Sequence, residues 1–315
     1  MLNLNQLRVF YEVAKSLNYS AAADKLSVTQ PAISKQIKAL EEYYDLKLFT
    51  KKKQKIHITD EGRKILIYAS RIFELERQLE EMIGGLKNLK YGSLRIATTQ
   101  TYARRFFTTL VIPFQQKYPH VIIELDEGSS LNMARSLLNF KNSLAIVAEV
   151  QNEPDITFLP LLLEEVVLIA GPSCPLAAKG EVDFPDLKGY PLIMKEIGSG
   201  TRKLVDEKFH SHHVRPKIIA QSNNMGFIKN MVLQNNGISF VVRSAVEQEL
   251  SQGDLISIPL KHHPLFLVIS IAFLKDYALP NAAKTVLEYF LPLTRQKNLP
   301  VGMLDVIERL SQLSK

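Results

Sequence analysis

The sequence predicts a mixed architecture: a small all-α unit, then one long helix, then an α/β unit, spread over 315 residues. Three observations carry this. Apolar residues recur at helical spacing through the first sixty positions, with Asn, Ser, Thr and Pro at the breaks. From Thr59 onward, Gly62 is the only helix breaker before Gly84. After Tyr91-Gly92, strand-like apolar runs alternate with helical segments, the pattern of βα units in largely parallel sheets. The corresponding boundaries are residues 1–59, 60–91 and 92–315.

Composition bounds the chemistry. With 46% hydrophobic residues the chain can fill ordinary globular cores, and at this length it should hold more than one. No run approaches the roughly 20 apolar residues of a membrane span. The start, MLNLNQLRVFYEVAKS, lacks the features of a signal peptide, and the single Cys174 cannot form an internal disulfide, so a cytoplasmic location is expected. The net charge of +7 is uneven: residues 1–91 hold 16 Lys and Arg against 11 Asp and Glu, whereas the remainder is close to balance. The basic excess therefore lies where phosphates would be met.

In the first unit Leu4, Leu7, Val9, Phe10, Val13, Ala14 and Leu17 form a helical stripe ending near Asn18. Ser20 suits the N-cap of a second helix. Ser27-Val28 makes a turn, Thr29 caps a third helix, and Pro31 falls in its first turn, where a missing N–H costs nothing. Ala32, Ile33, Ile37 and Leu40 fall at core spacing. Gln30, Ser34, Lys35 and Lys38 point elsewhere, and such side chains read base edges or neutralise phosphates. Lys51 to Thr59 reads as a short basic hairpin whose Lys51, Lys52, Lys53 and Lys55 would flank a groove. From Lys25 to Lys64 there are ten Lys and Arg against five Asp and Glu.

The long helix, capped by Thr59, carries Ile65, Ile72, Leu79, Ile83 and Leu86 along a narrow seam that Glu76 interrupts. Such a seam needs a partner: the same helix of a second copy, or this chain's own C-terminal half. In the third unit strands are expected at 93–97, 121–124, 144–148, 166–170, 192–194, 218–220, 238–242 and 265–273. An amphipathic segment, 303–313, closes the chain.

Leu7…Phe10, Ser20-Ala21-Ala22-Ala23, Leu26, Gln30-Pro31-Ala32-Ile33-Ser34, Ile37, Leu40-Glu41, Leu48-Phe49 and Thr59…Gly62 together resemble the winged helix-turn-helix of LysR-type transcriptional regulators. The resemblance continues through the long helix and the α/β unit. It implies that Gln30, Pro31, Ser34 and Lys35 approach bases with Lys38 on the backbone. It also implies self-association to dimers and a homotetramer, promoter DNA and RNA polymerase as partners, and an effector domain like the two-lobed (type 2) periplasmic binding proteins. The family often has Arg where this chain has Lys35 and Lys51, and a wing Arg where Gln54 stands. Lys lacks the two-point guanine contact of Arg, so operator preference should differ.

The implied lobes cover about 93–161 with 268–295, and about 162–267, hinged near Pro160–Leu163 and Phe266–Val268. Between them the expected lining is Thr99, Thr101, Tyr102, Ser129, Ser199, Thr201 and Asn224. These hydroxyls and N–H groups after strands suit a small anion, with Arg104 or Arg202 adding charge. The loop Thr98–Arg104 is also similar to that of the family's sulfate-sensing branch, which differs at Tyr102 and Ala148. A small carboxylate or oxyanion is therefore the implied effector, with no cofactor and no metal. Cys174, in Gly-Pro-Ser-Cys-Pro-Leu, reads as an ordinary turn rather than a nucleophile. His210, His212 and His213 read as polar surface histidines.

Overall fold

The computed structural model describes residues 1–52, 55–86, 92–106, 111–261, 264–296, 298–302, 305–306 and 308–309. It divides into two compact units, Met1–Leu89 and Lys90–Lys315.

The first unit contains α1 (Leu4–Ser16), α2 (Tyr19–Leu26), α3 (Gln30–Tyr44), β1 (Phe49–Lys52), β2 (Lys55–Ile58) and α4 (Asp60–Leu86). Its helix starts follow the asparagines. Asn3 Oδ1 accepts from the Asn5 and Gln6 amides, and Asn18 Oδ1 accepts from those of Ser20 and Ala21. The α2 cap is thus Asn18, not the expected Ser20: the Asx side chain reaches the N2 and N3 amides from one turn earlier. Leu17, Ser27 and Asp45 each take a left-handed conformation that ends α1, α2 and α3. Leu17 consequently leaves the α1 stripe and is exposed, as is Leu4.

Phe10, Val13, Ile33, Ile37, Leu40, Leu48, Ala69 and Phe73 build one core with residues from all four helices. Ala32 is exposed, contrary to the expected core spacing; it lies on the polar side of α3 beside Pro31. The hairpin pairs Phe49 with Ile58 and Lys52 with Lys55. Glu41 fastens it to α3, its Oε1 accepting from the Leu48 amide at 2.7 Å. Thr59 Oγ1 accepts from the Gly62 amide at 2.9 Å and so caps α4.

Gly62 sits where α4 meets the hairpin. A Cβ there would lie 2.5 Å from the Leu48 carbonyl oxygen and 2.7 Å from Ile58 Cγ1. Alanine gains about 1 kcal/mol of helix propensity. The clash with backbone outweighs that gain, and Gly62→Ala is expected to lower the unfolding free energy by about 1–3 kcal/mol in urea denaturation.

The second unit begins with β3 (Gly92–Thr98), α5 (Gln100–Phe106), α6 (Ile112–Lys117), β4 (Val121–Glu127), α7 (Ser130–Leu138), β5 (Leu144–Val147) and β6 (Ile156–Ala170). It continues through β7 (Pro191–Met194), α8 (Gly200–Ser211), β8 (Lys217–Gln221), α9 (Met225–Leu233) and β9 (Ser239–Val242). It ends with α10 (Glu247–Gln252), β10 (Ile256–Ile258), β11 (Leu265–Leu274) and α11 (Asn281–Thr294). The main sheet runs β10-β6-β11-β5-β3-β4, with β9 also on β6, and β7 pairs β8 separately.

Pairing is mixed rather than largely parallel. β3 with β4, β3 with β5, and β7 with β8 are parallel. The pairs that β6 makes with β9, β10 and β11, and that β11 makes with β5, are antiparallel. The cause is two long strands, β6 and β11, that run side by side in opposite directions. Only the C-terminal third of β6 was expected, because Pro160, Glu164 and Glu165 interrupt its apolar pattern. Pro160 lies opposite the irregularity at Ile269/Ser270, where the ladder tolerates a residue without an N–H.

These two strands join two cores. Leu94, Ile96, Leu144, Leu161, Leu162, Ile269 and Phe290 belong to one; Val166, Leu168, Phe209, Phe240 and Leu265 belong to the other. The chain therefore passes between lobes at 162–166 and again at 265–269. No helix among the described residues is long and apolar enough to cross a membrane. The expected helix 303–313 lies largely outside the described residues, although Val306 is buried in the first core.

Candidate functional site

The exposed face of α3 gathers the residues expected at DNA. Burial of Ile33, Ile37 and Leu40 on one side turns Gln30, Pro31, Ser34, Lys35 and Lys38 outward, all exposed. The N-cap Thr29 makes no side-chain cap bond, so the start of α3 presents free backbone donors and a hydroxyl. Lys38 is shared with Glu42 at 3.4 Å, a weak exposed pair. On the hairpin Lys51 and Lys55 are exposed; nothing is described of the Lys52 side chain, and Lys53 and Gln54 lie outside the described residues.

The seam of α4 splits. Ile65 and Ile72 are half-buried against the first unit's own core. That placement corrects the expectation of one continuous free seam, since the first turns of α4 complete the core that α1 to α3 leave open. Leu79 and Ile83 are exposed, joined by Leu75, which the heptad reading passed over. Leu86 ends the helix and its side chain is outside the description.

Between the lobes lies a cavity of about 860 Å³, open mouth included. It is built from the carboxyl ends of strands. Thr99, Thr101 and Tyr102 follow β3; Ser129 and Ser130 follow β4; Ser199 is the N-cap of α8, and Gly200 and Thr201 are its first residues. The starts of α7, α8 and α9 all open on it, each contributing positive partial charge. The floor is apolar: Val241, Val242, Leu267 and Ile269. Gly200 belongs there for lack of space, since a Cβ would come within 2.4 Å of Ala148 Cβ on the facing lobe. Hydrogen bonds span the cleft from the Met225 amide to Gln100 Oε1 (3.3 Å) and from the Leu131 amide to the Gly198 carbonyl (3.0 Å).

Some expected lining residues do other work. Asn224 Oδ1 caps α9 by accepting from the Phe227 amide, and the cleft is lined by its neighbours Asn223 and Met225. Ser129 lines the cleft, but its hydroxyl accepts from the Asn132 amide as the α7 cap. Arg202 is buried and spent on Asp206, the Lys195 carbonyl and Gln221. Arg104 is exposed and faces an adjoining cavity together with Asn224.

Three charged residues were missed: Lys195, Glu196 and Glu127. Their signal was available, because Lys195-Glu196 directly follow a strand and Glu127 directly precedes the Gly128 turn. Lys195 Nζ donates to the Asn223 carbonyl at 3.0 Å. Burial pushes its pKa down to about 8, against the Glu196 carboxylate, which favours the ammonium.

The remaining candidates are ordinary. His212 stacks on Phe184 at 5.1 Å, with Nδ1 2.8 Å from the Lys208 carbonyl at the end of α8. Among the described residues no group of three or more His, Cys, Asp or Glu could hold a metal. Cys174 precedes a short 3-10 turn, Pro175–Lys179.

Two family models match. Residues 4–63 match the bacterial regulatory helix-turn-helix protein of the lysR family, and residues 87–294 match the LysR substrate binding domain. The transcriptional activator CmpR of Synechocystis is 30% identical over 91% of this chain and 94% of its own length. The regulatory domain of Synechocystis CcmR, solved in complex with 2-PG, is 28% identical, with a TM-score of 0.59 over 66% of this chain and 99% of that one. Full-length OxyR of Pseudomonas aeruginosa, at 22% identity, shares the fold with a TM-score of 0.70 over 91% of this chain and 94% of that one. The exposed polar face of α3, the hairpin beside it and the two-lobed unit thus stand in a chain that belongs to the LysR family, DNA-binding transcriptional regulators rather than enzymes.

Proposed function

We propose that this regulator reads promoter DNA with Gln30, Pro31, Ser34 and Lys35, holds the backbone with Lys38 and the hairpin lysines 51, 52, 53 and 55, and answers to a small anion bound between its lobes. The observation that carries the effector reading is the cleft itself. Starts of α7, α8 and α9 and the ammonium of Lys195 converge on one cavity, a chemistry suited to an anionic group. CcmR, whose regulatory domain was solved with 2-PG, is a relative of that domain. An anion that bridges both lobes binds the closed arrangement better and so shifts the population of the assembly, its grip on DNA and the access of RNA polymerase.

The working unit is a cytoplasmic dimer, and a tetramer built from it, that sets two recognition helices roughly 34 Å or a multiple apart. Leu75, Leu79 and Ile83 supply the exposed apolar contact. Leu79→Asp removes about 2–3 kcal/mol of apolar burial and adds a charge to that contact. Sedimentation equilibrium is expected to show a shift toward monomer with unchanged circular dichroism; an intact dimer would remove α4 from the assembly. The effector reading is tested by thermal shift of the full chain with inorganic phosphate and small carboxylates. Stabilisation that disappears in Thr101→Ala supports the cleft, and ligand stabilisation unaltered by that change refutes it.

A further inference from the structure

The cleft mixes groups that suit an anion with groups that do not. Among the described residues Lys195 is the single Lys or Arg that lines it, whereas Glu127 and Glu196 both line it. Among the described residues neither carboxylate has a hydrogen-bond or ion-pair partner, and the Lys195 ammonium is engaged by the Asn223 carbonyl. Glu196 is half-buried and Glu127 is exposed at the mouth. Formal side-chain charge in the lining is therefore one positive against two negative. The starts of α7, α8 and α9 restore roughly half a positive charge each, but the carboxylates of Glu127 and Glu196 can only accept and still lack a donor.

A bare anion satisfies the donors and repels the carboxylates in a partly desolvated space. It also displaces the water that solvates them and offers nothing in return. A ligand that brings donors of its own satisfies both kinds of group, and the apolar lining of Val241, Val242, Leu267 and Ile269 accommodates a short carbon skeleton.

We propose that the effector is a short-chain acid that also carries a hydrogen-bond-donating substituent, a hydroxyl or an ammonium, with the acid group at Lys195 and the helix starts and the donor facing Glu196 and Glu127. The inference rests on the anion-cleft reading and narrows it. Glu196 and Glu127 are then specificity residues. They weaken plain acids more than they strengthen substituted ones, because discrimination comes from acceptors left unpaired by the wrong ligand.

The test uses the full chain and two matched series: succinate, malate and aspartate; propionate, lactate and alanine. Inorganic phosphate serves as the bare-anion reference, and binding is read by calorimetry and thermal shift in the wild type, Glu196→Gln and Glu127→Gln. Malate or aspartate is expected to bind about tenfold or more tightly than succinate, or lactate or alanine than propionate. Glu196→Gln is expected to shrink that ratio to within about threefold, chiefly by tightening the plain acid. Glu127→Gln, at the exposed mouth, should act in the same direction and serves if the first variant folds poorly. If phosphate and the plain acids bind as tightly as the substituted ones, or if neither variant changes the ratio, the inference falls and the anion cleft survives. If no compound of either series and no phosphate binds, the anion-cleft reading falls and takes the inference with it.

Discussion

Joint replacement of Ser34 and Lys35 by alanine is expected to abolish sequence-specific promoter binding while the protein still folds. Both side chains are exposed on α3, and the opposite face holds the core through Ile33, Ile37 and Leu40. Removing them leaves that core untouched, and alanine at an exposed helical position raises propensity slightly. Thermal stability should therefore move by no more than about 0.5 kcal/mol. Each base contact of this kind contributes about 1–3 kcal/mol, so the pair represents roughly 30-fold to about 20,000-fold in affinity for the operator. Binding to unrelated DNA, which depends on phosphate charge, should fall far less, since Lys38 and the hairpin lysines remain. Lys38→Ala gives the contrasting result: weaker binding to every sequence and a salt slope smaller by about one. Fluorescence anisotropy on operator and scrambled duplexes separates the two behaviours. An unchanged footprint in the double variant would remove α3 from base recognition.

The exposed polar face of α3 was readable because the two faces of that helix differ in kind, apolar against polar and basic, over a short, fixed spacing. What misled was local chemistry with two solutions. Asn18 and Ser20 are both good caps, and only the position of the first buried alanines, Ala22 and Ala23, selects Asn18. Ala32 is small enough to fit a core or a surface, so spacing alone cannot place it. Long-range geometry was harder still. The pairing direction of β6 and β11 depends on residues a hundred positions apart, and β6 hides the first two thirds of its length behind Pro160 and two glutamates. In the cleft, hydroxyls drew attention because small polar residues after strands are typical of ligand loops. Yet Ser129 and Asn224 are bound to helix amides, while the charge sits on Lys195, Glu196 and Glu127. A charged residue directly after a buried strand is the stronger signal, because it must either find a partner or serve a ligand.

Lys195→Met is the second large effect, and it acts on stability and ligand affinity with opposite signs. In the unfolded chain the Lys195 ammonium holds its proton to about pH 10.5; in the folded protein burial lowers that value to about 8. The difference corresponds to about 3 kcal/mol of desolvation penalty. Its sign follows from proton counting: between those two values the unfolded state binds more protons. The penalty is therefore fully present below pH 8 and is relieved as pH rises from 8 toward 10.5, so this group makes the unliganded protein more stable as pH increases. Anion affinity runs the other way, because the contact needs the ammonium: it should be flat below pH 8 and weaken by up to about tenfold per pH unit above it. Met fills nearly the same volume without charge. The variant should therefore melt at a higher temperature than the wild type at pH 7, with the gap closing by pH 10. It should bind a small acid such as malate about 10- to 150-fold more weakly at pH 7, the range of a charged hydrogen bond, with no loss between pH 8 and 10. Malate is fully ionised throughout that interval, so a wild-type affinity that declines there reports the protein. A wild-type affinity independent of pH up to 10, or equal malate binding in the two proteins, would place the anion away from Lys195. Higher melting of the variant with intact ligand binding would reduce Lys195 to a strained bystander whose burial serves only its bond to the Asn223 carbonyl.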